Sequence, residues 1–150
     1  MSNLKQQLYI LCAQYIANRE KTIKMLIAEA QEAANEETKS SAGDKFETGR
    51  ETMQQEVELN LTRLNELNKL KLALDMIRPD QRNEIVAPGA LVRTNQGSYY
   101  IAISAGQLKP DDKTFYAISL ESPIGAKMKG QKAGDKFMLN NKTFVIESVN

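Results

Sequence analysis

The chain has 150 residues, with 20 Lys and Arg against 19 Asp and Glu, no histidine and one cysteine, Cys12. That length allows one ordinary domain or two small ones, and the formal net charge of +1 argues against a general polyanion binder. Without histidine, any metal or proton chemistry falls to carboxylates, and a lone cysteine excludes an internal disulfide, which fits a reducing, cytoplasmic setting.

No secretion-signal pattern is read in Met-Ser-Asn-Leu-Lys, and no apolar run approaches the roughly 20 residues that span a bilayer. Leu4, Leu8, Leu11 and Tyr15, then Ile23, Leu26, Ala30 and Ala33, recur at helical spacing without an intervening Pro or Gly. This predicts one long amphipathic helix with a seam like that of a coiled coil. Cys12 lies in this stretch and reads as a buried core thiol. The stripe fades at Asn35-Glu36-Glu37-Thr38, and Lys39-Ser40-Ser41-Ala42-Gly43-Asp44 reads as a turn in which Gly43 supplies a positive φ.

A second stripe follows through Phe46, Met53, Val57, Leu61, Leu64, Leu67, Leu70, Leu74 and Ile77 and stops at Arg78-Pro79. Residues 1–78 are therefore expected to form an antiparallel helical hairpin, a coiled coil, with its tip near residues 39–47. A monomer is expected, with a dimer as the alternative that would bury more apolar surface. Gly49 marks either a frayed first turn or a pliable one.

Composition changes after Pro79. Residues 90–94 and 98–103 read as strands around the turn Asn95-Gln96-Gly97, and residues 136–139 and 143–146 as strands around Asn140-Asn141. Phe115–Leu120 is a further strand, and Ser122-Pro123-Ile124 carries the chemistry of a helix start, an N-cap serine followed by proline. Residues 79–150 are thus expected to form a small, mostly antiparallel β domain with one short helix, and the fold class is α+β. No Gly-rich phosphate loop, zinc-ligand pattern or nucleophile–base set is present.

Several of these segments together resemble the Gre transcript-cleavage factors of bacterial RNA polymerase. The most specific stretch is Ile118-Ser119-Leu120-Glu121-Ser122-Pro123-Ile124, followed by Gly130 and Gly134-Asp135. It is similar to that family's SPI…G…GD segment, and Pro88-Gly89-Ala90-Leu91-Val92 is similar to its first C-terminal strand. Gly43-Asp44-Lys45-Phe46-Glu47 resembles the family's Gly-Asp-Leu-Lys-Glu, whereas Thr48, Gly49, Arg50 and Glu51 stand where it usually shows Asn-Ala-Glu-Tyr. A register set on Ala28-Glu29-Ala30 would instead place Asn35 and Thr38 in the acidic positions. The Asp44 register is preferred because it puts the acids near the midpoint of the hairpin.

The resemblance implies an N-terminal coiled coil, an FKBP-like C-terminal domain and a role in the DNA-bound elongation complex. The chain would not be an enzyme itself. It would enter the secondary channel of RNA polymerase and stimulate the polymerase's own cleavage of backtracked RNA at its extruded 3′ end. Asp44 and Glu47 would help hold a second Mg²⁺, shared with the polymerase active site, and Lys45 and Arg50 would contact RNA phosphates. Glu121, Ser122 and Pro123 would dock on the polymerase. From spacing alone, Asp44-x-x-Glu47 reads first as a capping box, and Glu121-Ser122-Pro123 reads equally as ordinary strand-to-helix capping. The alternatives are a secondary-channel regulator that does not promote cleavage, a free-standing prolyl isomerase or chaperone, and a structural coiled-coil adaptor.

Overall fold

A computed structural model describes the backbone of residues 2–39 and 44–150, with side chains except at residues 2, 3, 34, 36–39, 44–48 and 50. Two long helices, α1 (Ser2–Lys39) and α2 (Asp44–Asp75), precede six strands. These are β1 (Leu91–Thr94), β2 (Gly97–Ile101), β3 (Gly106–Leu108), β4 (Phe115–Ile118), β5 (Lys136–Leu139) and β6 (Lys142–Val149). A 3₁₀ turn (Pro110–Asp112) precedes β4, and a short helix, α3 (Pro123–Met128), follows it. The fold is α+β. The chain packs as two units, residues 1–15 with 72–150, and residues 16–71.

In the first unit the strands form one mixed sheet in the order β3-β4-β2-β1-β6-β5. Every neighbouring pair is antiparallel except β2 with β4, which run parallel. Both expected hairpins form. At the second, Asn140 and Asn141 take φ of 50° and 64°, as a two-residue hairpin turn that follows the strand twist requires. The short edge strand β3 has no legible signal, because three residues are too few to show alternation.

One face of the sheet packs Val92, Ile101, Phe137, Phe144 and Ile146 against Met128 of α3 and Val86. The rings of Phe137 and Phe144 stack across the β5–β6 pair, centroids 4.8 Å apart. Leu91, Tyr100 and Ala117, in register across β1, β2 and β4, point to the other face and are also buried. This unit includes both helix ends, and Leu8, Cys12, Leu74 and Ile77 are buried with them. Lys5 ties the start of α1 down: its Nζ donates to the Gln81 carbonyl at 2.5 Å and to the Asn150 backbone oxygen at 3.0 Å. Burial holds the Lys5 ammonium below the usual lysine range, and the charge of Asp80 partly opposes this.

In the second unit the helices run antiparallel. The Glu20 carboxyl is held below the usual range by a hydrogen bond from Lys24 and also by the charge of Lys71. Leu26, Glu29 and Ala30 share a cavity of about 450 Å³ with Met53, Glu56, Leu59, Asn60 and Arg63. Position 20 thus faces 71, and positions 26–30 face 53–63. Among the described residues the buried positions keep Ile23, Ala30 and Leu67 of the expected stripes and add Ile16 and Asn60. They are Ile16, Ile23 and Ala30 on α1, and Asn60 and Leu67 on α2, with Leu26 and Leu61 exposed. A seven-residue repeat governs both helices, and it selects Asn60 over its apolar neighbour Leu61. The Asn60 Oδ1 accepts from Arg63 Nη1 at 3.2 Å, which satisfies a polar group that the repeat draws into the seam.

Two predictions follow from the doubly covered sheet. Tyr100 is fully buried and, among the described residues, its hydroxyl has no hydrogen-bond partner, so Tyr100→Phe should raise stability by about 1 kcal/mol. A lower thermal midpoint for the variant at neutral pH would contradict this. Burial also raises the Cys12 thiol from 9.0 to about 12. Above pH 9 the unfolded chain loses this proton while the folded chain keeps it, so the unfolded state binds fewer protons and stability falls as pH rises. Melting curves between pH 8 and 11 should show that fall, and Cys12→Ala should flatten its onset; an unchanged slope would refute the assignment.

Candidate functional site

Two groups of residues carry the expected function, and the structure treats them differently. Asp44, Lys45, Glu47 and Arg50 lie in the first turns of α2 by backbone, and their side chains lie outside the described residues. Asp44 and Glu47 are three residues apart on this helix. Gly49 has helical backbone within α2. Of the neighbouring acids, Glu51 is exposed, and the side chains of Glu36 and Glu37 are also outside the described set. Among the described residues, no group of three or more Cys, Asp or Glu side chains is placed to hold a metal ion.

Glu121, Ser122 and Pro123 are described fully. They form the turn between β4 and α3, and the local sequence dictates its shape. The Ser122 Oγ accepts from Gly125 N at 3.1 Å and donates to the Ser119 carbonyl at 2.6 Å. The backbone N–H of Ser122 donates to the same carbonyl at 3.2 Å. Ser122 has extended backbone (φ −66°, ψ 157°), as an N-cap residue does, and Pro123 occupies the first helical turn. The Ser122 hydroxyl is therefore committed to the cap. Glu121 and Pro123 are exposed and present a carboxylate and an apolar ring to solvent.

Gly125 makes this turn possible. A Cβ built on it would overlap the Ser119 carbonyl oxygen and come within 2.9 Å of Leu120 Cα and Ser122 Oγ. Two of these three are backbone atoms of the turn, which cannot swing aside as a side chain can. The turn and the first residues of α3 therefore approach more closely than any other residue at 125 would allow.

A feature outside both groups was not anticipated. Lys5, Asp80, Arg82 and Arg93 line a cavity of about 620 Å³ with Leu4 and Leu91 among its apolar walls. One signal for it does exist in the sequence. Lys5 stands three residues before Leu8 and seven before Cys12, so it is a cation on the buried face of α1.

With this geometry in hand, the chain can be set beside known proteins. No protein-family model matches it, and no curated protein matches it either.

Gly125→Ala should cost roughly 2–3 kcal/mol through overpacking against backbone. Thermal unfolding of the full chain measures this, and a midpoint within a degree of the native one would show that the turn has room to relax.

Proposed function

We propose that this protein is a Gre-like transcription elongation factor, which binds bacterial RNA polymerase through its secondary channel and stimulates cleavage of backtracked RNA. The observation that carries this reading is a pairing of two features in one chain. Asp44 and Glu47 occupy the opening turn of the second of two long antiparallel helices, and the Ser122-Pro123 turn leaves Glu121 exposed at the head of α3. The reading takes the helix pair as a coiled coil, which the seven-residue repeat of buried positions supports. It takes the β-rich unit as FKBP-like, for which the capped α3 packed on a mixed sheet is the support. A cytoplasmic monomer is the corresponding form.

An α-helix rises about 1.5 Å per residue, so α1 and α2 run for about 57 and 48 Å. Helices of that length suit a probe that reaches into a channel. No helix among the described residues is long and apolar enough to cross a membrane.

The donor set at the start of α2 is two carboxylates, and oxygen ligands of this kind suit Mg²⁺, which often takes only one or two from a given protein. Asp44 and Glu47 would hold such an ion jointly with the polymerase, and when bound it supplies charge stabilisation to the oxygens of a phosphodiester displacement. Asp44 and Glu47 would also orient the attacking water by accepting its protons in hydrogen bonds. Lys45 and Arg50 would hold the RNA by its phosphates, and Glu121 and Pro123 would meet the polymerase surface. Chemistry would thus require the polymerase, and the isolated chain would be no nuclease.

A second reading is a secondary-channel regulator that occupies the polymerase without promoting cleavage. Thr48, Gly49, Arg50 and Glu51, which depart from the pattern of the resembling family, favour it. RNA cleavage in stalled, backtracked elongation complexes separates the two. The native chain should accelerate cleavage, and Asp44→Ala/Glu47→Ala should lose that stimulation by roughly 100-fold or more while binding polymerase equally well. Native binding with unchanged or slower cleavage would overturn the first reading in favour of the second. Absence of polymerase binding would overturn both.

A further inference from the structure

The cavity beside the start of α1 has a charge pattern that its structural role does not explain. Lys5 is 6% exposed, and its ammonium donates to two backbone oxygens, those of Gln81 and Asn150. An ammonium has three donors, so these two acceptors leave one N–H over. Arg82 and Arg93 line the same cavity. The Arg93 Cζ lies over the Phe115 ring, 6.0 Å from its centroid, a cation–π contact that needs no hydrogen-bond acceptor from the ring.

Against these three cations the cavity presents one acidic side chain, Asp80, and the main-chain oxygen of Asn150, the last residue of the sequence, which accepts from Lys5. Among the described residues no carboxylate side chain forms an ion pair with Lys5, Arg82 or Arg93. Arg82 and Arg93 are exposed, so their donors are open to a ligand that enters the cavity beside the buried Lys5. The volume, about 620 Å³, falls in the range of small-molecule sites, and Leu4 and Leu91 give it an apolar wall.

We propose that this cavity binds a small phosphate-bearing molecule, its phosphate held by Lys5, Arg82 and Arg93 and its apolar body against Leu4 and Leu91. A phosphate monoester carries close to two negative charges at neutral pH and three strong acceptor oxygens. It can thus accept from all three cationic side chains, where a carboxylate offers two oxygens and one charge. A concave site with a buried lysine at its wall favours a small ligand over a polymer backbone, which would reach the exposed arginines and leave Lys5 uncontacted. The site shares no residue with the start of α2 and does not depend on the cleavage reading.

The test uses phenyl phosphate as the probe and benzenesulfonate, the same ring on a monoanion, as its control. Both are titrated calorimetrically into the full chain at fixed ionic strength. Phenyl phosphate should bind saturably and at least about tenfold more tightly than benzenesulfonate. Arg82→Gln/Arg93→Gln should weaken it by at least about tenfold. Lys5 is left intact because it also fastens the backbone. Both arginines are exposed, so the variant should keep the native circular-dichroism spectrum and melting midpoint. No saturable binding to the native chain, equal affinity for the two anions, or undiminished binding by a folded variant would each overturn the proposal.

Discussion

The sheet is buried on both faces at its centre, and the rest of the first unit depends on that constraint. Val92 and Ile101 face the α3 side, while Leu91 and Tyr100, one residue away along the same strands, face the other and are equally inaccessible. An antiparallel hairpin open to water on one side would alternate apolar and polar residues. Here both parities are apolar, so a second layer is obligatory. The unit meets this with residues 1–15 and 72–77, which bring Leu8, Cys12, Leu74 and Ile77 into the core. The helix ends are thus integral to the sheet's unit, although 75 residues of chain separate Lys5 from Asp80 and composition shifts only after Pro79. The unmatched hydroxyl of Tyr100 is a local cost of making that second interface.

The middle of the helix pair is held by a different rule. The buried positions are spaced by seven, Ile16, Ile23 and Ala30 on one helix and Asn60 and Leu67 on the other. At Ala30 and Asn60 the seam carries its smallest and its most polar residues, and the 450 Å³ cavity lies there. Arg63 lies one turn on from Asn60 in the same helix, so the bond between them eases the cost of burying the amide whatever the pairing of the two helices.

Local chemistry was legible in the sequence wherever a single residue type decides the conformation. The two hairpin turns, the Ser122 cap and the helix break before the sheet all belong to this class, and so does the burial of Cys12. The stripe was less legible. Leu61 is more apolar than Asn60, and only the partner helix, through the seven-residue repeat, decides between them. Asp111 and Asp112 adopt left-handed φ of 51° and 62° in the turn after β3. Aspartate tolerates such values without demanding them, so nothing in the sequence announced that turn. The cavity of Lys5, Arg82 and Arg93 was legible only in Lys5, a cation on the buried face of α1: its parts come from positions 5, 82 and 93, and only the fold brings them together.

One motif can carry both structure and function, and the turn before α3 shows how to separate the two. Ser122 is the residue that the fold consumes: its hydroxyl accepts from Gly125 and donates to Ser119, which leaves one lone pair and no proton for a partner. Any recognition through this segment therefore falls on Glu121 and on the ring of Pro123, with Ser122 and Gly125 fixing where they stand. The same division bears on the start of α2 under the proposed function. A carboxylate in a first helical turn is favoured by the helix dipole whether or not it has another task. The dipole alone would be satisfied by either Asp44 or Glu47, whereas joint ligation of an ion needs both at their spacing of three. A requirement for both acids together, beyond what helix stability demands, is therefore what distinguishes chemistry from capping at this turn.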